Sequence, residues 1–414
     1  MDNSNFITEN MDNPRELERM FRKEPEVFKK SFSYAWEQNP DSPVLAVWQE
    51  RLHFKETENA EKTSLLWSNF LFMGILAVLA GLSTRLLFHF IEQEAIAPIN
   101  LVFGILPFMT IYFVYHNPSN RQVLYTLSSL FLLSGFYLNV LPLENKDSII
   151  MAYLHLPIFL WVVMGLAYTG NEYGRGSARL AFLKFNGEFG ILYACMAISG
   201  MALTAITMQL FRFIGTDISE FYFRNVVVFG AAALAIVAAY LVSRDIKLAK
   251  NIAPYIAKIF SPLVLATLLV YFIAVIWIGK NPFLDRDFLL VFNGVLLGVL
   301  AVTIFSITER GTDEKMNVSD YINFALIALA LMIDSVALSA IVFRLSSYGI
   351  TPNRLAVLGV NLLIFANLIW IILSYVRFLG NKTGPSAIQD AVTKYLPVYG
   401  LWAAFVTFTF PFIF

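Results

Sequence analysis

The chain is quiet chemically except at a few polar positions set in apolar runs, and Asp334 is the first of these. It stands near the middle of "NFALIALALMIDSVALSAIVF", which contains no other ionisable residue. A carboxylate in such a run must be paired, neutralised or turned towards water. Two readings follow: a coupling or counter-charge group on a transport path, or a fixed pair with an arginine of another helix. Asn293, Asn361, Asn367 and His155 are the other polar side chains in neighbouring or facing runs. Asparagines inside such helices look for partners across the bundle, each worth about 1 kcal/mol. Together with Asp334 they form a candidate set for lining one polar cavity. His155 and Glu188 are the weaker candidates for an embedded enzyme, such as a transferase acting on a lipid-linked substrate.

A second polar group interrupts the apolar pattern at "FRLSSYGITPNRLAVLGVNLL", residues 343–363. Gly349 permits a left-handed backbone, and Thr351 followed by Pro352 reads as a helix cap and first helical residue. Arg344, Tyr348, Asn353 and Arg354 converge on the same external turn. They either bind a phosphate or carboxylate or pin the turn in place. The third group is "YTGNEYGRGSARLAFLKFNGE", residues 168–188. Arg175, Arg179 and Lys184 make it a basic cytosolic loop with an interfacial helix, suited to an anionic lipid headgroup. It follows no strand and lacks a nucleotide-loop pattern. The four histidines, at 53, 89, 116 and 155, have no metal-ligand spacing, so no metal or other cofactor is expected. Short similarity between 118–127 and 352–362 is no better than chance.

These groups must be held by membrane helices. Of 414 residues 57% are hydrophobic and 14% charged, too few charges to cover a water-facing surface of this size. The zero net charge argues against a nucleic-acid partner. Membrane lipid is the expected surrounding, with a small solute, a lipid substrate or a protein as further partner. Cys195, the single cysteine, rules out an intrachain disulfide and reads as a core or lipid-facing residue. The fold class is therefore all-α, a polytopic integral membrane helix bundle. About eleven transmembrane helices are expected, at 66–90, 96–116, 121–141, 148–170, 188–211, 222–243, 259–279, 287–308, 321–342, 354–378 and 395–414. The stretch 243–262, with Pro254 and Pro262, is expected to be an interfacial helix leading into the seventh span.

Residues 1–64 differ in kind. They read as a cytosolic amphipathic helical segment, and 65–414 as the transmembrane domain. Asn13 caps a helix that begins at Pro14, with Glu16 three residues after the cap. A second short helix runs from Pro43 to about Phe54, with Trp48 and Phe54 as interface anchors. Orientation follows from basic residues. With the N-terminus cytosolic, the internal loops hold thirteen: Arg121, Arg175, Arg179, Lys184, Arg244, Lys247, Lys250, Lys258, Arg310, Lys315, Arg377, Lys382 and Lys394. The external ones hold seven: Lys146, Arg212, Arg224, Lys280, Arg286, Arg344 and Arg354. With an odd number of spans the C-terminus is expected outside. The apolar ending "GLWAAFVTFTFPFIF" suggests that an external C-terminal domain is missing.

"VWQERLHF" (47–54), "RLSSYGITPNR" and "KYLPVYGLWAAFVTFTFPF" together resemble a family of uncharacterised bacterial multi-pass membrane proteins, a domain of unknown function. Its most specific mark is the YGIT..NR turn, carried by Tyr348, Gly349, Ile350, Thr351, Asn353 and Arg354. The resemblance covers most of the chain from about residue 15 and implies a bacterial cytoplasmic membrane and no catalytic residues. Three functional expectations result: a transporter or lipid-handling carrier using the polar residues of spans eight to ten, a scaffold of an envelope complex, and the embedded transferase.

Overall fold

The computed structural model describes residues 6–11, 13–90, 97–117, 119–142, 146–213, 217–244, 286–310 and 316–414, with isolated positions between 254 and 277. Every regular element among them is helical. The chain forms two compact units, Met1–Phe72 and Met73–Phe414.

The first unit holds α1 (Phe6–Glu9), α2 (Pro14–Lys23), α3 (Pro25–Gln38) and the first part of α4 (Pro43–Phe90). Asn13 caps α2 through its side chain, which accepts from the Glu16 amide at 3.3 Å, and Pro14 opens the helix where no amide is needed. Proline likewise opens α3 and α4. Their apolar faces close a small core of Ile7, Leu17, Phe28, Phe32, Ala35, Leu45 and Trp48. Two expectations are corrected here. The helix from Pro43 does not end near Phe54, because nothing in 53–67 breaks a helix and the run continues to Phe90. Trp48 is not an interface anchor but a core residue, 5% exposed, with its ring 4.8 Å from Phe28. The Phe54 side chain lies outside the described residues.

The second unit begins in the last part of α4 and continues with α5 (Ala97–His116), α6 (Arg121–Val140), α7 (Asp147–Thr169) and α8 (Gly176–Phe213). Next comes α9 (Ser219–Ser243), which holds one π-helical turn at Phe223–Val227. The chain ends with α10 (Arg286–Thr308), α11 (Val318–Tyr348), α12 (Pro352–Leu379), α13 (Ser386–Thr393) and α14 (Leu396–Ile413). Each segment expected to cross the membrane coincides with a helix, save 259–279. That segment, most of 243–262, and Lys247, Lys250, Lys280 and Lys315 lie outside the described residues; Pro254 and Pro262 are helical.

Seven helices among the described residues are long and apolar enough to cross a membrane. The segments at 101–116 and 296–308 are shorter apolar helices. Large apolar side chains such as Leu132, Leu133, Phe136, Ile198 and Leu401 are more than 60% exposed, as suits helices surrounded by lipid. Cys195 shares that exposed surface. In lipid the backbone satisfies itself by helix formation, so specificity passes to side-chain fit and to a few interhelical bonds.

Helix α7 packs against α5, α6, α8, α12 and α14 and is the central element of this unit. A second layer forms where α11 packs on α10 and α12, closing a core of Leu326, Ile327, Ala330, Ile333, Ile364, Leu368 and Ile371. Tyr137 donates from α6 to the Thr407 carbonyl of α14 at 2.9 Å, and Tyr193 from α8 to the Ala231 carbonyl of α9 at 3.1 Å.

Candidate functional site

Helices α7, α8, α10, α12, α13 and α14 line a partly open cavity of about 430 Å³, within the range of small-molecule sites. Its wall is apolar over most of its extent, with Leu183, Leu300, Ile304, Val360, Ile364, Val392 and Leu396 among the lining residues. Two glycines shape it. A Cβ on Gly359 would meet the Trp402 ring at 1.9 Å, and one on Gly187 would meet the Phe305 ring at 2.2 Å. Both aromatic rings thus lie directly on the backbone of a neighbouring helix, a close approach that small residues permit.

The polar groups in this wall are His155, Asn186, Tyr399 and the indoles of Trp161 and Trp402. His155 Nδ1 is 2.9 Å from the Met151 carbonyl. Trp161 Nε1 donates to Asn186 Oδ1 at 2.8 Å, and Asn186 Nδ2 donates to the Phe182 carbonyl at 2.6 Å, so both ends of that amide are engaged. The Tyr399 hydroxyl donates to Asn367 Oδ1 at 3.1 Å, and Asn367 Nδ2 donates to the Ala391 carbonyl at 2.9 Å. Trp402 Nε1 is buried and has no hydrogen-bond partner among the described residues. No Lys, Arg, Asp or Glu lines the cavity among the described residues.

The polar residues read from the sequence are distributed rather than gathered. Of Asp334, Asn293, Asn361, Asn367 and His155, only His155 lines the cavity. Asn361 Nδ2 donates to Asn293 Oδ1 at 2.7 Å, tying α12 to α10. Asn367 stands behind the wall, engaged by Tyr399. Asp334 is fully buried on α11, and neither carboxylate oxygen has a hydrogen-bond partner among the described residues. The arginine pair expected for it is made instead by Asp320 on the same helix. Arg310 Nε and Nη2 donate to Asp320 Oδ1 and Oδ2 at 2.7 and 3.0 Å. The Asn317 amide donates to Asp320 Oδ2 at 2.9 Å, closing a capping box at the start of α11.

The turn at 343–354 is a helix junction. Gly349 takes φ of 80° after α11, and Thr351 accepts from the Arg354 amide at 3.3 Å to cap α12. Arg354 Nη1 donates to the Tyr348 and Gly349 carbonyls at 2.8 and 2.7 Å. This guanidinium satisfies the free carbonyls at the end of α11. Arg344 and Asn353 make no side-chain hydrogen bond within the turn among the described residues.

In the segment 168–188 the connection is short: α7 ends at Thr169, and α8 already begins at Gly176. Arg179 on α8 repeats what Arg354 does, donating through Nη1 to the Tyr173 and Gly174 carbonyls at 2.7 and 3.2 Å. Its Nε also donates to the Thr393 carbonyl at 3.1 Å, and the residue is 9% exposed. The two junctions share one spacing, Tyr-Gly followed by Arg six positions after the Tyr, at Tyr173–Arg179 and Tyr348–Arg354. That spacing is readable in the sequence, where it marks carbonyl caps rather than ligand sites. Lys184 lies 3.3 Å from Glu309 Oε2 and 4.0 Å from Glu188 Oε1, and Arg175 pairs with Glu172 at 2.6 Å. All three basic residues of the segment are therefore engaged within the protein.

Comparison with family models, with curated proteins and with solved structures finds no match to this chain. The cavity and its lining carry the functional argument.

Proposed function

We propose that the chain is a lipid-handling carrier of the bacterial cytoplasmic membrane, whose bundle takes up one apolar chain from the surrounding bilayer. The observation that carries this reading is the apolar cavity lined by α7, which is open along part of its wall. Two of its lining residues, Ile158 and Leu297, are 44% and 51% exposed, so the cavity has apolar residues at the surface that would face acyl chains. A path for a polar solute would be lined by polar groups, and neither the asparagine pair nor Asp334 is among the residues that line this wall. Eleven spans with the N-terminus cytosolic and the C-terminus external belong to the same proposal, supported by the excess of basic residues in the internal loops. So does membership of the multi-pass family that the Tyr348–Arg354 turn resembles.

The test is the identity of molecules that copurify with the protein. Wild type is expected to retain a long-chain apolar molecule through detergent exchange, detected by mass spectrometry of the extract. Ala301→Phe, at an exposed lining position, is expected to lose it while melting at the same temperature. Equal retention by both proteins, or none by wild type, would overturn the carrier. The envelope scaffold then takes its place, a reading favoured by the separate core that residues 1–72 possess.

A further inference from the structure

We infer that Asp334 is a proton-binding site, loaded in the packing seen here, which exchanges its proton only when α11 parts from its neighbours. The inference goes beyond the carrier reading, since Asp334 is not among the residues that line the cavity. A carboxylate within a membrane helix is paired, turned towards water or neutralised. The structure leaves the last. Asp334 has no exposed surface, and neither of its oxygens has a hydrogen-bond partner among the described residues. It interrupts a buried stripe of α11 at helical spacing, with Ile327 and Ala330 before it and Ala337 and Ile341 after it.

The elements around it bring no counter-charge. Helix α11 packs on α10 and α12, and the sequence has no charged residue or histidine from Phe288 to Thr308 on α10 or from Leu355 to Val376 on α12. The stretch 259–279, whose Leu268 joins the same core, has none either. On α11 itself the nearest charged residue is Arg344, about 15 Å along the axis. Arg310 is taken by Asp320. Two tyrosines complete the titratable groups on this side of the bundle. Tyr375 accepts from Asn323, and Tyr399, which interacts electrostatically with Asp334, gives its own proton to Asn367.

An unpaired carboxylate ion in such surroundings is disfavoured far more than the neutral acid, so the group takes a proton. Uptake transfers one proton from a hydronium ion to one carboxylate oxygen, leaves a water molecule and removes one negative charge. Both oxygens are sealed from solvent in this packing. The proton therefore enters or leaves only in a conformation that admits water between α11 and its neighbours, where the ion is hydrated and the site can empty. Loading of the site and closing of this layer are one linked equilibrium.

The test is infrared spectroscopy of the purified full chain at neutral pH, in nanodiscs of ether lipid so that no ester carbonyl overlaps the region of interest. A protonated carboxyl shows a carbonyl stretch above the amide band, and wild type is expected to have one. Aspartate carrying a heavier carbon isotope at its side-chain carboxyl should move that band in the unmutated protein, which needs no variant to fold. Asp334→Asn should remove it in full. Asp390→Asn, at an exposed residue paired with Lys394, should leave it unchanged. In heavy water the band should shift gradually, as the layer opens and recloses. A band absent from wild type, unmoved by the labelled aspartate or retained in Asp334→Asn would overturn the inference. A shift complete on mixing would mean that the site is open to water in the packed state, and a band that never shifts would mean a fixed structural acid. Either result would overturn the link between the proton and the opening of α11.

Discussion

Asp320 and Asp334 lie on one helix, about four turns and roughly 21 Å apart, and both are at most 1% exposed. One is held by two bonds from Arg310 and one from the Asn317 amide, while the other has no hydrogen-bond partner among the described residues. The same residue type thus appears at the end of α11 as a structural clamp and in its middle as an unsatisfied group. Position explains the first. A carboxylate at the first turn of a helix meets free amides and a favourable dipole, and Arg310, two residues past the end of α10, reaches it from outside the helix. No backbone donor is free at mid-helix, so Asp334 depends entirely on what other helices bring.

The largest expected effect tests the clamp. Arg310→Ala leaves Asp320 buried without its counter-charge and should lower stability by about 3–5 kcal/mol, read by thermal unfolding in detergent. Replacing both residues by Ala should cost clearly less than the sum of the two single changes. Asp334→Asn should behave in the opposite way, changing stability by less than about 1 kcal/mol, since no hydrogen bond among the described residues is lost. A loss as large as that of Arg310→Ala would mean that Asp334 has a strong partner, and the contrast between the two carboxylates would collapse.

The two Tyr-Gly-x4-Arg junctions extend the comparison from carboxylates to arginines. Arg179 and Arg354 cap helix ends in the same way, yet Arg179 is nearly buried and carries a third bond to Thr393, whereas the hydrogen bonds of Arg354 are exposed. Arg179→Ala should cost about 2–3 kcal/mol, in the range for buried hydrogen bonds to a charged group. Arg354→Ala should cost about 1 kcal/mol or less. If the two are equal, burial is not what separates them. Gly359→Ala is of similar size, about 1–3 kcal/mol, because its Cβ meets the Trp402 ring at 1.9 Å.

What is legible in the sequence is local. Asn13 before Pro14 and Thr351 before Pro352 announce helix starts because capping needs only neighbouring residues, and Gly349 announces a backbone that other residues resist. The apolar runs give helices because lipid allows little else. Trp48 misleads because its stripe is amphipathic whichever surface it meets, and only the approach of Phe21 and Phe28 decides that the ring is buried. The cavity is illegible for the same reason at longer range. Its wall draws on residues from His155 to Ala403, and no neighbour of Gly187 or Gly359 along the chain says which ring will lie on it. Asp334 stands out by its chemistry, but the arginine expected for it belongs to another carboxylate, since pairing is a matter of which helix ends adjoin.

The smallest effect asks what the Arg310–Asp320 clamp would be worth in water. Glu18 and Arg51 in the first unit are likewise paired, with Arg51 nitrogens 2.5 and 3.0 Å from the carboxylate oxygens, but they are partly exposed. Hydrogen bonds from Arg51, then from Arg22, hold the Glu18 carboxyl below its ordinary value. A carboxyl with a lowered folded value contributes stability that is fully present above the ordinary glutamate range. That contribution fades as pH falls through the lowered value. Solvent screening keeps it small. Glu18→Gln should therefore slightly reduce hydrogen-exchange protection of Pro14–Lys23 at neutral pH, and the difference from wild type should vanish in acid. A difference that persists unchanged in acid would show that Glu18 acts by packing rather than by charge. The clamp at Arg310 would then owe its strength to fit as much as to burial.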